Sequence, residues 1–87
     1  MVYTYIVQCA DGTLYTGWSA NLENRLAAHN AGTGAKYTRN RLPVELVYFE
    51  YQENQSAAQK REASIKKLSR LQKIALITEF RRLSPVV

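Results

Sequence analysis

Five polar side chains, dispersed along a chain of 87 residues, are of the types that phosphodiester chemistry requires. They form no local motif: the chain has no Gly-rich phosphate loop followed by lysine, no histidines four residues apart and no Gly-x-Ser-x-Gly turn. The five are Tyr5, Tyr15, Arg25, His29 and Glu62. Together they offer a carboxylate for a cation, a permanent positive charge for phosphate oxygens and groups that can take a proton from water.

Each of these groups would have its own role in such a reaction. Glu62 alone could hold a hard cation such as Mg²⁺, which binds oxygen ligands and keeps several of its waters. Arg25 would place a forked donor on the non-bridging oxygens, where negative charge builds up. His29 or Tyr5 would take the proton from the water, the tyrosine only if its pKa is lowered, and Tyr15 would orient that water or the base.

Each residue also has a plainer interpretation. Tyrosines on strands usually pack half-buried, and single arginine or glutamate residues on helices are usually solvated. A lone histidine at the edge of a core is more often structural than catalytic. The functional hypothesis therefore depends on whether the fold brings the five side chains together.

The two tyrosines lie on a predicted β-hairpin. Two segments rich in β-branched and aromatic residues flank a turn sequence: Val2 to Cys9 and Leu14 to Trp18, with Ala10-Asp11-Gly12-Thr13 between them. A two-residue turn would put Tyr5 and Tyr15 on opposite faces of the sheet. A three-residue loop with Gly12 left-handed would instead pair Val7 with Tyr15 and put both tyrosines on one face. The sequence favours the three-residue loop.

Arg25 and His29 fall on one row of a predicted helix that runs from Leu22 to about Asn30. Asn21 is a suitable N-cap for this helix. At 100° per residue, the row lies about 60° from the buried row of leucines. Both side chains are therefore predicted at the border of core and solvent, where active-site groups are usually displayed.

Residues 31–43 form a long predicted loop with no periodic pattern. Its basic and aromatic side chains are interleaved, which suits a phosphate backbone or an unstacked base. Nucleic-acid contacts are predicted for Lys36, Tyr37, Arg39 and Arg41, and for Lys66 on a later helix. The same loop charges could instead serve only solubility.

A third strand, Val44 to Tyr51, and two helices complete the predicted order β-β-α-β-α-α. Two capping-box pairs open the helices: Ser56 with Gln59, and Ser69 with Gln72. They predict one helix to about Leu68 and a last one ending near Pro85, apolar enough to pack on two neighbours. On the first of these helices, Glu62 falls at the border of the buried stripe. Arg61 falls inside the stripe, so its methylene groups would have to extend along the core until the guanidinium reaches solvent.

Length and composition limit the remaining possibilities. With 46% hydrophobic and 22% charged residues, the chain is expected to form one globular domain over residues 1–87, with a core of about 2–82. Cys9 is the only cysteine, which excludes an internal disulfide and a Cys-rich zinc site. No stretch approaches the roughly 20 apolar residues of a membrane span and no signal peptide is visible, so a cytoplasmic protein with no membrane partner is expected.

The net charge of +5 is unevenly distributed. Between Ser56 and Arg82 there are eight basic and two acidic side chains, so this segment carries +6 and the remainder −1. A one-sided positive field suits a polyanion such as nucleic acid, although solubility alone can also explain it.

The order and spacing of these residues resemble the GIY-YIG endonuclease superfamily from Val2 to about Phe80, and most closely its small stand-alone bacterial members. Five segments carry the resemblance: the motifs Tyr3-Thr4-Tyr5 and Tyr15-Thr16-Gly17, the arginine helix Asn21 to Asn30, the loop Gly34-Ala35-Lys36-Tyr37-Thr38 and the metal-glutamate helix Arg61 to Leu68. The chain also departs from the pattern. Tyr3 replaces the opening glycine, Thr4 and Thr16 replace the central isoleucines, and no asparagine follows Asn54.

The resemblance implies an α+β fold in which a small three-stranded antiparallel sheet is flanked by three helices. It also implies one divalent metal on Glu62, Mg²⁺ first and Mn²⁺ second, with Tyr5 and Tyr15 in the cleft. Arg25 would bind the scissile phosphate, and His29 would be the base or its helper. The expected activity is metal-dependent endonuclease hydrolysis of branched, nicked or damaged DNA, as in DNA repair, giving a 5′-phosphate and a 3′-hydroxyl.

Two other functions stay open at this point. One is a nucleic-acid-binding module of the same fold without turnover, and the other is a protein-interaction domain. Larger members of the superfamily carry separate DNA-binding domains, so a protein partner could supply specificity here. The sequence leaves open the oligomeric state, the preferred nucleic-acid structure, and whether Tyr5 or His29 is the general base.

Overall fold

A three-stranded sheet lies between helices in the computed structural model, which describes residues 2–83. The elements follow the predicted order: β1 (Val2–Gln8), β2 (Leu14–Ser19), α1 (Leu22–Asn30), β3 (Glu45–Gln52), α2 (Gln55–Lys66) and α3 (Arg70–Leu83). The sheet is antiparallel with the spatial order β2-β1-β3, so β1 is its central strand. The predicted α+β fold is confirmed.

The connection between β1 and β2 is the predicted three-residue loop. Val7 pairs with Tyr15, and Tyr5 pairs with Gly17. Gly12 has a φ of +85°, a left-handed conformation that glycine adopts without steric penalty. Because side chains alternate along a strand, this register puts the side chains of Tyr5 and Tyr15 on the same face of the sheet.

A bulge in β3 explains why four consecutive residues of this strand are apolar. Ile6 pairs with Tyr48 and Val7 with Leu46, so Val47 is an extra residue between the two pairs. Val47 and Tyr48 therefore both enter the core on one face, while Leu46 packs on the other.

The two faces of the sheet carry separate cores. The face covered by α2 and α3 buries a cluster of five residues: Ile6, Val47, Tyr48, Ile65 and Ile77. The face covered by α1 buries a second cluster: Tyr5, Val7, Cys9 and Val44, with Leu22 and Leu26 of the helix packed against it. The active-site residues predicted on β1 and α1 belong to the second face.

The helix boundaries confirm one predicted cap and correct another. At the start of α3, Ser69 Oγ accepts from Gln72 N at 3.2 Å and Gln72 Oε1 accepts from Ser69 N at 2.9 Å, which is a capping box. The cap of α2 is Asn54 and not Ser56: the Asn54 side chain accepts from Ala57 N at 2.8 Å. Asn and Ser are equally good N-caps, so local preference could not decide between the two starts.

Helix α3 is more exposed than its composition predicts. Leu71 is 78% exposed and Ile74 38%, so part of the apolar surface of this helix faces solvent. Its described part ends at Leu83, and the predicted end near Pro85 lies outside the described residues. None of the helices between residues 2 and 83 has the length and hydropathy of a membrane span.

Candidate active site

The hydroxyl group of Tyr5 is the centre of a buried polar network beneath α1. It lies 2.9 Å from His29 Nε2, and Arg25 Nε donates to it at 3.3 Å. Tyr5 is 1% exposed and His29 is fully buried, whereas Arg25 is partly accessible to solvent. The structure thus joins three of the four predicted catalytic side chains by hydrogen bonds.

Helix α1 presents Arg25 and His29 to the sheet because they are four residues apart and lie on one face. Asn21 caps the helix as predicted, accepting from Asn24 N at 3.0 Å. Arg25 occupies the predicted border between core and solvent, but His29 does not: it is completely buried. The reason is tertiary, because Thr38 in the loop after α1 contacts the His29 ring.

Gly17 makes room for the two tyrosine rings on the hairpin. A Cβ atom at this position would lie 2.6 Å from the Tyr5 hydroxyl oxygen and 3.3 Å from the Tyr15 ring. Any other residue would therefore displace the hydroxyl group on which the network depends. Tyr15 completes this side of the site, with its ring edge-to-face to that of His29 at a centroid distance of 5.6 Å.

The electrostatics of the network keep the tyrosine and the histidine uncharged near neutral pH. Burial raises the pKa of Tyr5, and the negative charge of Glu62 acts in the same direction. The lowering effect of Arg25 is too small to reverse this, so Arg25 alone does not give Tyr5 the lowered pKa that a tyrosine base was predicted to require. Burial and the positive charge of Arg25 both lower the pKa of His29. The hydrogen bond to Tyr5 raises the pKa of Arg25, which stays charged. A permanent cation therefore lies beside two neutral groups that can exchange a proton.

Glu62 lies on α2, the helix that packs against β1 and β2. Its side chain is 21% exposed and forms an ion pair with Lys66 at 3.3 Å. Its charge acts on the Tyr5 hydroxyl, and the Lys66 ammonium lies 5.8 Å from the centroid of the Tyr15 ring. Lys66 thus lies beside the Tyr15 ring, and Glu62 is its ion-pair partner one turn earlier on α2.

A buried hydrogen bond ties α2 to the central strand. Thr4 Oγ1 donates to the carbonyl of Ala58 at 3.0 Å, and both residues are fully buried. Thr4 is one of the two threonines at positions where the family motif has isoleucine. Its hydroxyl links β1, which carries Tyr5, to the helix that carries Glu62.

An ion pair next to Glu62 gives α2 a second attachment. Arg61 donates to both carboxylate oxygens of Glu50 on β3, at distances from 2.9 to 3.1 Å, and Glu50 also accepts from the Tyr48 hydroxyl. Although burial opposes ionisation of Glu50, the Arg61 and Tyr48 hydrogen bonds lower its pKa. Burial and the neighbouring carboxylate raise the pKa of Tyr48 to about 12. This pair explains why an arginine lies in the buried stripe of α2.

The loop residues predicted to contact nucleic acid fall into two groups. Lys36 and Arg39 are exposed. Tyr37 stacks on Tyr15 with a centroid distance of 5.9 Å and an interplanar angle of 22°. The Arg41 guanidinium lies 4.1 Å from the Tyr37 centroid, donates to the Tyr37 carbonyl at 2.7 Å and pairs with Asp11 at 3.1 Å. Tyr37 and Arg41 therefore join the loop to the hairpin, whereas Lys36 and Arg39 are exposed to solvent.

Two residues of this loop contact the network, although no role was predicted for them. Thr38 Oγ1 lies 2.8 Å from His29 Nδ1 and is fully buried. A Cβ atom on Gly34 would lie 2.5 Å from the same nitrogen, so a glycine is needed there. Both lie in the loop segment that carries part of the family resemblance, but without periodicity the sequence gave neither residue a role, since only the path of the loop brings them to the ring.

These features define a small α+β domain that carries tyrosines on a hairpin, an arginine and a histidine on α1 and a glutamate on α2. The GIY-YIG catalytic domain matches residues 1–75, and the chain belongs to this family. The GIY-YIG family is a nuclease superfamily, and the membership predicted from the motifs is confirmed.

Relatives and solved structures place the chain among small members of the family. A UPF0213 protein of Clostridium perfringens is 62% identical over 78 residues, which cover 90% of this chain and 84% of the relative. A UPF0213 protein of Syntrophus aciditrophicus is 54% identical over 78 residues, covering 88% and 90%. The NMR structure of a UPF0213 protein from Bacillus halodurans is similar with a TM-score of 0.57 at 39% identity, covering 90% and 84%. An NMR structure from E. faecalis has a TM-score of 0.61 at 44% identity, covering 98% and 90%.

Proposed function

We propose that this chain is a metal-dependent endonuclease that hydrolyses phosphodiester bonds of DNA. The observation that carries the proposal is the convergence of Arg25, Tyr5 and His29 through hydrogen bonds of 3.3 and 2.9 Å, in a family of nucleases. A charged guanidinium next to two neutral proton-exchanging groups suits a reaction that builds negative charge on phosphate while removing a proton from water.

The residues around Glu62 fit a hard divalent cation, Mg²⁺ or Mn²⁺. Such an ion binds through one or two carboxylates and keeps several waters. The Glu62 carboxylate is partly exposed, and its ion-pair partner Lys66 is half-exposed. Glu62 would release Lys66 when it binds the ion. Within residues 2–83 no three His, Cys, Asp or Glu side chains cluster, so Glu62 would be the protein's carboxylate ligand. When bound, the ion would stabilise the charge that develops on the scissile phosphate.

The other residues would bind and orient the phosphate and move the proton. A guanidinium has five N–H donors, so Arg25 can hold the Tyr5 oxygen and still donate to non-bridging phosphate oxygens. Tyr5 and His29 would act together as the base, and Tyr15 would orient the attacking water. Water adds to phosphorus as the bond to the 3′ oxygen breaks, which leaves a 5′-phosphate and a 3′-hydroxyl.

The charge distribution supports DNA as the substrate. The segment from Ser56 to Arg82 carries eight basic and two acidic side chains, and Lys36 and Arg39 add exposed positive charge near the site. Branched, nicked or damaged duplexes, as met in cytoplasmic DNA repair, are the substrates we propose. A protein partner would supply any specificity beyond shape and charge.

The test is cleavage of fluorescent nicked, flapped, four-way and single-stranded DNA with Mg²⁺, with Mn²⁺ and with a chelator. Wild-type protein should form product only with metal. Glu62→Gln should abolish cleavage because it removes the metal's carboxylate. Arg25→Gln should lower kcat by about 10²–10³-fold, as expected for the loss of a group that stabilises transition-state charge.

Glu79→Gln is the matched control. It also removes one negative charge, but on α3, where Glu79 forms a surface ion pair with Arg82. It should cleave like the wild type. Salt-dependent DNA binding without product from any substrate would favour the binding-module alternative. Cleavage by Glu62→Gln at the wild-type rate would exclude the metal role of Glu62.

A further inference from the structure

The loop between α1 and β3 reaches the centre of the proposed active site through Thr38. This side chain and the His29 ring are both completely buried. Thr38 Oγ1 lies 2.8 Å from His29 Nδ1, and on the other side of the ring Nε2 lies 2.9 Å from the Tyr5 hydroxyl. The imidazole is thus held at both nitrogens, and the direction of each hydrogen bond depends on which nitrogen carries the proton.

The Thr38 hydroxyl group determines that direction because it has a single proton. It donates this proton to the carbonyl oxygen of Ala35 at 3.0 Å, and a carbonyl oxygen can only accept. Towards His29, the Thr38 oxygen is therefore an acceptor, and Nδ1 must carry the ring proton. In a neutral imidazole Nε2 is then unprotonated and accepts the proton of the Tyr5 hydroxyl.

Several contacts fix the loop in the position that this arrangement needs. Gly34 passes so close to His29 that a Cβ atom would lie 2.8 Å from its Cα. Thr38 N donates to the Ala35 carbonyl at 3.1 Å, and Arg41 N donates to the Thr38 carbonyl at 2.9 Å. These two turn hydrogen bonds hold the backbone on both sides of Thr38, so that its hydroxyl is oriented before any substrate binds.

We propose that Thr38 is a positioning residue that keeps the His29 proton on Nδ1, so that Nε2 is free to accept the Tyr5 proton during catalysis. The role in catalysis rests on the proposed nuclease function. The Tyr5 oxygen takes a proton from the attacking water as its own proton passes to His29 Nε2. The leaving 3′ oxygen takes a proton from solvent, and His29 later returns its proton to solvent through Tyr5.

The proposal joins Tyr5 and His29 into one base and gives each a place in it. Both ring nitrogens already have a hydrogen-bond partner, Tyr5 at Nε2 and Thr38 at Nδ1. The attacking water would therefore contact the Tyr5 oxygen and not the ring. The charged and titratable groups that face the ring are Tyr5 on β1, Tyr15 on β2 and Arg25 on α1. The positive charge of Arg25 opposes a lasting imidazolium, which favours return of the proton after each turnover.

The first test reads the protonated nitrogen of His29 directly. His29 is the only histidine in the chain, so ¹⁵N-labelled protein gives one pair of ring nitrogen signals in a long-range ¹H–¹⁵N NMR spectrum. Above the pH at which the ring titrates, and without DNA or metal, Nδ1 should have the shift of a protonated nitrogen and Nε2 that of an unprotonated one. The opposite assignment in the wild type would overturn the proposal.

The second test changes Thr38. Thr38→Val keeps the shape and removes the hydroxyl, and should move the proton at least partly to Nε2, while Thr38→Ser should keep the wild-type spectrum. In cleavage assays Thr38→Val should lower kcat by about 10- to 100-fold with little change in KM, as expected for loss of an orienting partner. Thr33→Val, on an exposed threonine of the same loop, is the control and should change neither readout.

The outcomes separate this proposal from the proposed function. An unchanged ring spectrum in Thr38→Val would show that Thr38 does not set the tautomer. If Thr38→Val fails to fold, the wild-type and Thr38→Ser spectra still decide, because both must show the proton on Nδ1. If these spectra agree but wild-type protein cleaves no DNA, the nuclease function is wrong and the catalytic role of Thr38 falls with it, whereas the tautomer assignment stands.

Discussion

The two faces of the sheet bury different kinds of side chain. Beneath α1, the buried residues include Tyr5, His29 and Thr38, which are joined by hydrogen bonds. Beneath α2 and α3, the core is mostly aliphatic, with Ile65 fully buried at its centre. The polar contacts on this side are one buried hydrogen bond, from Thr4 to the Ala58 carbonyl, and the bonds of Glu50 at the partly exposed margin.

The aliphatic face is therefore expected to contribute mainly stability, and the polar face to carry the groups that take part in chemistry. Aliphatic burial stabilises in proportion to the area removed from water, whereas a buried hydrogen-bond network contributes only when its donors and acceptors are satisfied. A domain of this size has little stability to spare. We therefore expect changes on the aliphatic face to act on the free energy of unfolding, and changes on the polar face to act on catalysis at a smaller cost in stability.

The largest effect is expected from Ile65→Ala on the aliphatic face. Ile65 is fully buried, so the cavity left behind should lower the free energy of unfolding by about 2–5 kcal/mol, and Ile65→Val by about 0.5–1.5 kcal/mol. Urea unfolding measures both. Leu71→Ala, at a residue that is 78% exposed, should stay within about 0.5 kcal/mol of the wild type. Equal losses at positions 65 and 71 would contradict the assignment of this core.

An intermediate effect is expected from Gly17→Ala on the polar face. The added Cβ would lie 2.6 Å from the Tyr5 hydroxyl oxygen, and such overpacking costs about 1–3 kcal/mol. Because it displaces the hydroxyl itself, cleavage should fall much further than the stability loss explains. Gly12→Asn is the control: no atom lies within 4 Å of its Cβ, so its cost is the backbone strain of a side chain at a φ of +85°, and cleavage by the folded protein should stay near the wild type. Activity retained in Gly17→Ala would argue against a catalytic Tyr5.

The smallest effect is a pH dependence of stability that originates at His29. Burial lowers the pKa of this residue in the folded state below its usual value of 6.5, so the unfolded chain binds more protons at mildly acidic pH. The free energy of unfolding should therefore decrease as the pH falls through 6.5, before the carboxyl groups titrate. In His29→Gln the slope between pH 7.5 and 5 should be smaller. Equal slopes would place the titration elsewhere.

Local signals in the sequence predicted the parts of the fold that depend on neighbouring residues. Gly12 determined the loop length and so the face that Tyr5 and Tyr15 share, and Asn21 marked the start of α1. Local signals failed to predict the start of α2, because Asn54 and Ser56 are equally good N-cap residues. They also failed for His29, whose burial depends on a loop that carries no periodic pattern.

By itself, the sequence determined the order of the elements, the hairpin register and the residue types available for chemistry, because these follow from turn geometry, caps and periodicity over a few positions. Only the tertiary structure decided that Thr38 orients His29, that Gly17 makes room for Tyr5, and that Arg61 pairs with Glu50. The physical reason is that each of these contacts joins segments whose distance is set by packing and not by spacing along the chain.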